Sequence, residues 1–182
     1  VVGFKNTEEQ PPIQRITGKV RRTQPVFVDS FSFMKAATKR TAKQTIPAPA
    51  MLHMRPGRAG ISREAYPDLE EFWHDVAQAY RGEIRDLAAA GCTYLQLDDT
   101  SFAYLCDEKF RASVVQRGDD PDQLVRKYSA AINAALADRP AGMTVTMHTC
   151  RGNFKSTWVA SGGYEPVATA LFATDVNGFF ME

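Results

Sequence analysis

The sequence contains no apolar run near the ~18 residues that a membrane-spanning helix needs, so none of it reads as a transmembrane segment. No basic start followed by an apolar stretch and a small-residue cleavage site opens it, so no secretory signal is read there. Cysteine is scarce. Cys92, Cys106 and Cys150 make an odd set without the spacing of a disulfide framework, which points to a reducing, cytoplasmic setting. No strand-like run leads into a phosphate-type glycine loop, which argues against a nucleotide-binding sheet. Zinc-knuckle, helix-turn-helix and aromatic-plus-glycine RNA signatures are also missing, so a nucleic-acid partner is not expected. Neither sign of charge dominates: the net charge is +1. Yet residues 1–60 carry eleven Lys and Arg against three Asp and Glu, and the remainder eleven against eighteen. The two halves are expected to neutralise each other across the fold.

With 44% hydrophobic residues in 182, the chain can bury a sizeable core and is read as a single domain, with residues 1–14 as an arm or connection that ends in Pro11-Pro12. Ile16–Val20 and Pro25–Val28 are expected as short strands, and Asp29 as the cap of a helix over Ser30–Lys39. Lys43–Ile46 is a further strand, closed by Pro47-Ala48-Pro49. Met51–Arg58 reads as a long loop with unusual side chains, as binding loops often have. The clearest helix runs from Leu69 to Ala90. Asp68 caps it, Glu71 stands at the capping-box position, and Leu69, Phe72, Trp73, Val76, Tyr80, Ile84 and Leu87 form one apolar stripe. His74 falls off that stripe and reads as a surface histidine. A strand over Tyr94–Asp98, a helix from Asp120-Pro121 to Arg139, a strand over Thr144–His148, helical pieces at Ser156–Ala160 and Glu165–Phe172, and a strand over Gly178–Glu182 complete the pattern.

Alternating strands and helices with short connections imply parallel strands joined by crossover helices, and a β/α barrel fits best. Within each strand, one set of alternate residues is apolar (Leu95 and Leu97; Val145 and Met147). The other set carries Gln96 and Asp98, or Thr146, His148 and Cys150. A barrel strand turns its apolar side to the helices and places reactive groups at its carboxyl end. Asp98, His148, Cys150 and Glu182 all fall there. Side chains two apart in an extended chain share a face, so His148 and Cys150 can reach one point. On its own that pair also describes a satisfied histidine beside a buried free cysteine. Glu182 lies one strand later, and right-handed crossovers make consecutive barrel strands neighbours. The three can therefore share a metal, with zinc first by ligand type.

His148-Thr149-Cys150, Glu182 at the next strand end, and Gln96-Leu97-Asp98-Asp99 on an earlier strand together resemble the cobalamin-independent methionine synthase family. The runs Tyr94–Thr100, His148–Trp158 and Gly162-Gly163-Tyr164-Glu165-Pro166 are most similar to its short, single-barrel, methionine synthase II-like branch. The resemblance spans about Ile16 to Glu182. It implies a TIM (β/α)8 barrel of the methionine synthase/uroporphyrinogen decarboxylase type, represented here by about four central strands. It implies a zinc-dependent transfer of a methyl group to a thiol such as homocysteine, as in methionine biosynthesis, with His148, Cys150 and Glu182 as zinc ligands. Asp98, with Gln96 beside it, would bind the substrate amino group. Asp99 would cap the segment starting at Thr100. Two departures stand out. Family members complete the zinc site with a cysteine from a late strand, and none follows Glu182 here. The glycine and tryptophan of methyltetrahydrofolate-using members are replaced by Pro47-Ala48-Pro49 and Met51–Met54, which leaves a folate-like donor open. Self-association is also left open. The competing readings are a porphyrin decarboxylase or corrinoid methyltransferase barrel, and a non-catalytic metal-binding remnant.

Overall fold

A computed structural model describes Glu8 and residues 13–182, so the expected arm over residues 1–14 lies almost wholly outside the described residues. The elements follow in the order α1 (Val28–Ala36), β1 (Gln44–Pro47), α2 (Met51–Met54), a 3-10 turn (Gly57–Gly60), α3 (Leu69–Ala89), β2 (Tyr94–Asp99), α4 (Ser101–Tyr104), α5 (Glu108–Gln116), α6 (Pro121–Leu136), β3 (Thr144–Thr149), α7 (Ala168–Leu171) and β4 (Gly178–Met181). The four strands form one sheet in the order β1-β2-β3-β4. Every neighbouring pair is parallel. Parallel neighbours need crossovers, and α3 and α6 supply the two long ones.

The register sorts side chains into rows. Ile46, Leu97, Met147 and Phe179 lie side by side across the sheet. Ile46, Leu97 and Met147 are fully buried with Leu95 and Val145, in one core with Phe72, Trp73, Val76, Ile84 and Leu87 of α3 and Val125, Tyr128 and Ile132 of α6. The opposite face carries Thr45, Gln96 and Thr146 in one row and Pro47, Asp98, His148 and Phe180 in the next. In β2 and β3 the alternation expected from the sequence is thus realised, with apolar residues toward the helices and polar ones on the other face.

Caps explain where the long helices start. Asp68 accepts from the N–H of Glu70, Asp107 from Lys109 and Phe110, and Asp120 from Asp122 and Gln123. Glu71 does not complete a capping box; it pairs with Lys19. His74 is exposed, as its position off the stripe implies.

Several expectations fail for local reasons. Residues 25–28 form no strand, because the buried Glu83 carboxylate takes the N–H groups of Val26 and Phe27. Helix α1 therefore begins at Val28, with Asp29 in its first turn and not as its cap. Among the described residues Ile16 makes only a single bridge, to Ile61. The loop over Met51–Arg58 contains the one-turn helix α2. Ser156–Ala160 is not helical: Lys155 and Ser156 sit at φ 46° and 61°, a backbone region that cannot propagate a right-handed helix. The piece expected over Glu165–Phe172 shrinks to α7. Helix α4 occupies the segment that Asp99 was expected to cap; α5 was not expected, because it buries only Phe110 and Val114 and shows too thin a stripe. Charge neutralisation across the halves does occur. Arg22 binds Glu83 at 2.8 Å and Asp86 at 2.6 Å, and pins the basic segment to α3.

Two buried titratable groups oppose one another. Burial, and then the guanidinium of Arg117, lowers His53 to about 4. Its Nδ1 lies 2.9 Å from the Tyr128 hydroxyl. Burial raises Asp99 to about 6, despite hydrogen bonds from Ser101 and the N–H of Phe102. The depressed histidine contributes stability that is complete above its unfolded value near 6.5 and is lost as pH falls toward about 4. The raised aspartate acts in reverse: its cost grows as pH rises from its unfolded value of about 4 to about 6. Each amounts to about 3 kcal/mol at full extent, so the wild type should show a weak combined dependence from these two groups between those limits. His53→Gln should gain stability on acidification relative to wild type, and Asp99→Asn should lose it. The expected melting shifts, on the order of 5–10 °C between pH 7 and pH 4, are of opposite sign. Parallel shifts in the two variants would sink this account.

Candidate metal and acceptor site

The carboxyl ends of β2, β3 and β4 bring four side chains together. Asp98 and His148 are directly paired across β2 and β3, and His148 faces Phe180 across β3 and β4. Cys150 follows β3, and its N–H donates to the carbonyl of Asp99 at 2.7 Å, so the ladder continues past the strand. Glu182 follows β4. One ligand atom each from His148, Cys150 and Glu182 lies within 4.8 Å of the others. An imidazole nitrogen, a thiol sulfur and a carboxylate oxygen form a donor set that could hold a borderline-soft divalent metal. His148 Nε2 is 3.3 Å from Glu182 Oε1, and Nδ1 is 3.2 Å from Asp98 Oδ1.

Glu182 is held by residues given no role from sequence. Its Oε2 accepts from the Arg151 N–H at 3.1 Å and from the Asn153 side chain at 2.7 Å. Its backbone carbonyl accepts from Arg151 Nε and from the Tyr164 hydroxyl. The Arg151 guanidinium lies 4.5 Å from the centre of the Tyr164 ring. Burial alone would raise the Glu182 carboxyl. The hydrogen bonds from Arg151, Asn153 and His148 outweigh it and bring the group below the usual carboxylate range. Glu182 is thus ionised, as a ligand must be. Arg151 and Asn153 stand in the same short run as His148 and Cys150, which is the signal that could have found them. Tyr164 could be found only through the Gly-Gly-Tyr-Glu-Pro run.

Asp98 and Asp99 differ as their alternation implies. Asp99 is buried and caps the turn through Ser101 and Phe102. The side chain of Asp98 is about half exposed. With His148 and Cys150 it lines a cleft of about 340 Å³ whose other walls include Thr45, Ile46, Pro47, Met51 and Thr100. Gln96 does not line this cleft; it is buried, and its amide donates to Asp98 Oδ1 at 2.8 Å. Asp98 Oδ1 is also shared with His148. Cys92 and Cys106 are buried free thiols that donate to the carbonyls of Tyr94 and Phe102, and burial pushes Cys106 up to about 11. Neither is in the cluster.

The family described as "Cobalamin-independent synthase, Catalytic domain" matches residues 2–160. YxjH and YxjG of Bacillus subtilis (strain 168), both uncharacterised, are 43% and 38% identical to this chain over its whole length. The chain spans about half the length of these curated relatives, 48% of each. A crystal structure from Listeria monocytogenes, a vitamin-B12-independent methionine synthase by assignment, is 42% identical and superposes with a TM-score of 0.74 over 91% of this chain and 46% of that one. The sheet described above is therefore part of a β/α barrel. A B12-independent methionine synthase from Shewanella sp. W3-18-1, solved in complex with selenomethionine, shares the fold at 21% identity and a TM-score of 0.50, over 74% of this chain and 33% of that one.

Proposed function

The chain belongs to the cobalamin-independent synthase family by its catalytic-domain match, and on that footing we propose that it forms the zinc-binding and thiol-binding part of a methyltransferase. In this reading the chain is one domain, an incomplete β/α barrel, and works in the cytoplasm. His148, Cys150 and Glu182 hold one zinc, together with a ligand that this chain does not carry. Bound zinc keeps an acceptor thiol deprotonated at neutral pH, where a free thiol is mostly protonated. Asp98 orients the acceptor: its Oδ2 makes no hydrogen bond among the described residues and is left for an ammonium group. A substrate with a thiol and an ammonium a few methylenes apart, such as homocysteine, would set its sulfur toward Cys150 and its amino group at Asp98. Its methylenes would run along the apolar wall of Ile46, Pro47 and Met51. Holding the sulfur and the amino group at two fixed points leaves one approach for the methyl donor, which is the protein's task in such a transfer. A folate-like donor remains the family expectation, with Pro47-Ala48-Pro49 as the local departure from it.

The observation that carries this reading is the gathering of imidazole, thiol and carboxylate within 4.8 Å at three neighbouring strand ends. Titration of the metal-free protein with zinc against a coloured chelator should show one tight equivalent per chain. Absence of a stoichiometric endpoint would exclude the zinc reading and leave the non-catalytic one.

A further inference from the structure

The two carboxylate oxygens of Glu182 are treated differently. Oε2 accepts from the Arg151 N–H at 3.1 Å and from the Asn153 side-chain amide at 2.7 Å. A carboxylate oxygen offers two lone pairs, so these two donors fill Oε2. Oε1 instead lies beside the cluster, 3.3 Å from His148 Nε2. The backbone is shaped for this grip. Gly152 stands between the two donors at φ 76°, and a Cβ there would meet the Tyr104 hydroxyl at 2.5 Å. Glycine alone takes that turn without strain or collision, and the turn brings both donors to one oxygen. Just after Asn153, Phe154 and Thr157 exchange two backbone hydrogen bonds of 2.9 Å and close a tight turn. The Glu182 backbone is fixed separately. Its carbonyl accepts from the Tyr164 hydroxyl at 3.1 Å, and that hydroxyl also meets Thr149 Oγ1 at 2.9 Å.

We propose that Asn153 is a positioning residue that makes Glu182 a one-oxygen ligand: it takes the second lone pair of Oε2, so that Oε1 alone meets the metal. The proposal rests on the zinc reading above and deepens it. A carboxylate bound through both oxygens fills two places around a metal. One bound through a single oxygen leaves a place for an acceptor sulfur, as a catalytic zinc site must. Of the two donors Asn153 decides, because its bond is the shorter. Without it, one lone pair of Oε2 is free for a second bond to the metal.

The test is infrared difference spectroscopy of the protein on addition of zinc. The antisymmetric and symmetric stretches of a carboxylate are widely split when one oxygen binds a metal and narrowly split when both do. The Glu182 bands are assigned by their absence in Glu182→Gln. The wild type should show the wide splitting. Asn153→Leu offers no donor and should shift Glu182 to the narrow splitting. Asn153 is exposed, so this variant should melt with the wild type. Tyr164→Phe loosens the Glu182 backbone without touching Oε2, and should keep the wide splitting. A narrow splitting in the wild type, a wide one in Asn153→Leu, or equal narrowing in Tyr164→Phe overturns the proposal and leaves the zinc reading standing. Absence of any Glu182 band on zinc addition removes Glu182 from the metal, and the zinc reading falls together with the proposal.

Discussion

Replacing Cys150 with serine should strip the protein of most of its zinc. A thiolate is the softest of the three proposed donors, and serine offers a hydroxyl that stays protonated at neutral pH. The loss should exceed the about 10–100-fold that follows removal of a mere outer partner of a ligand. Folding should not suffer. Cys150 is only partly buried, and among the described residues its sulfur accepts a single weak bond, from the N–H of Gly152 at 3.3 Å. Cys92→Ser and Cys106→Ser serve as controls. Both sulfurs lie outside the cluster and donate to backbone carbonyls, so zinc content should stay at the wild-type level. Dialysis against a weak chelator followed by metal analysis reads all three. Full occupancy in Cys150→Ser would remove that residue from the site. Loss of zinc in either control would mean that the metal responds to the fold rather than to the ligand.

Asp98→Asn should separate two kinds of acceptor. One charge-assisted hydrogen bond to an ammonium is worth about 1.5–3 kcal/mol, so an amino-thiol such as homocysteine should bind more weakly by that amount. A simple alkyl thiol of similar length has no ammonium and should be nearly indifferent. Since Asp98 also touches His148, the substitution should weaken zinc as well, and the comparison belongs at saturating zinc. Calorimetry with the two thiols decides. Equal losses would assign Asp98 to the metal or the fold alone. No loss for either would leave the acceptor-binding role without support.

Much of this arrangement was legible because it depends on short-range geometry. The period-two alternation in Tyr94–Asp98 and Thr144–His148 placed Leu95, Leu97, Val145 and Met147 against helices, and they are buried there. Asp68 and Asp120 announced their helices by capping chemistry. His148 and Cys150 share a face by strand spacing alone, and parallel order then brings Glu182 alongside. What stayed hidden depends on partners distant in sequence. Glu83 sits 56 residues from Phe27, and nothing local shows that its carboxylate will occupy the N–H groups of a segment that otherwise reads as a strand. The Gln96 amide looked like a substrate contact from its neighbour Asp98. Its engagement by Lys43, 53 residues earlier, becomes visible only with the sheet register. The left-handed backbone at Lys155 and Ser156 likewise ends a segment whose composition alone permits a helix.

X-ray absorption at the zinc edge, recorded on the loaded protein before and after adding homocysteine, tests the central claim most directly. The account predicts a mixed shell with sulfur at about 2.3 Å and nitrogen or oxygen at about 2.0–2.2 Å, and a larger sulfur contribution once the thiol is present. A shell made only of nitrogen and oxygen, or one unchanged by homocysteine, would contradict it.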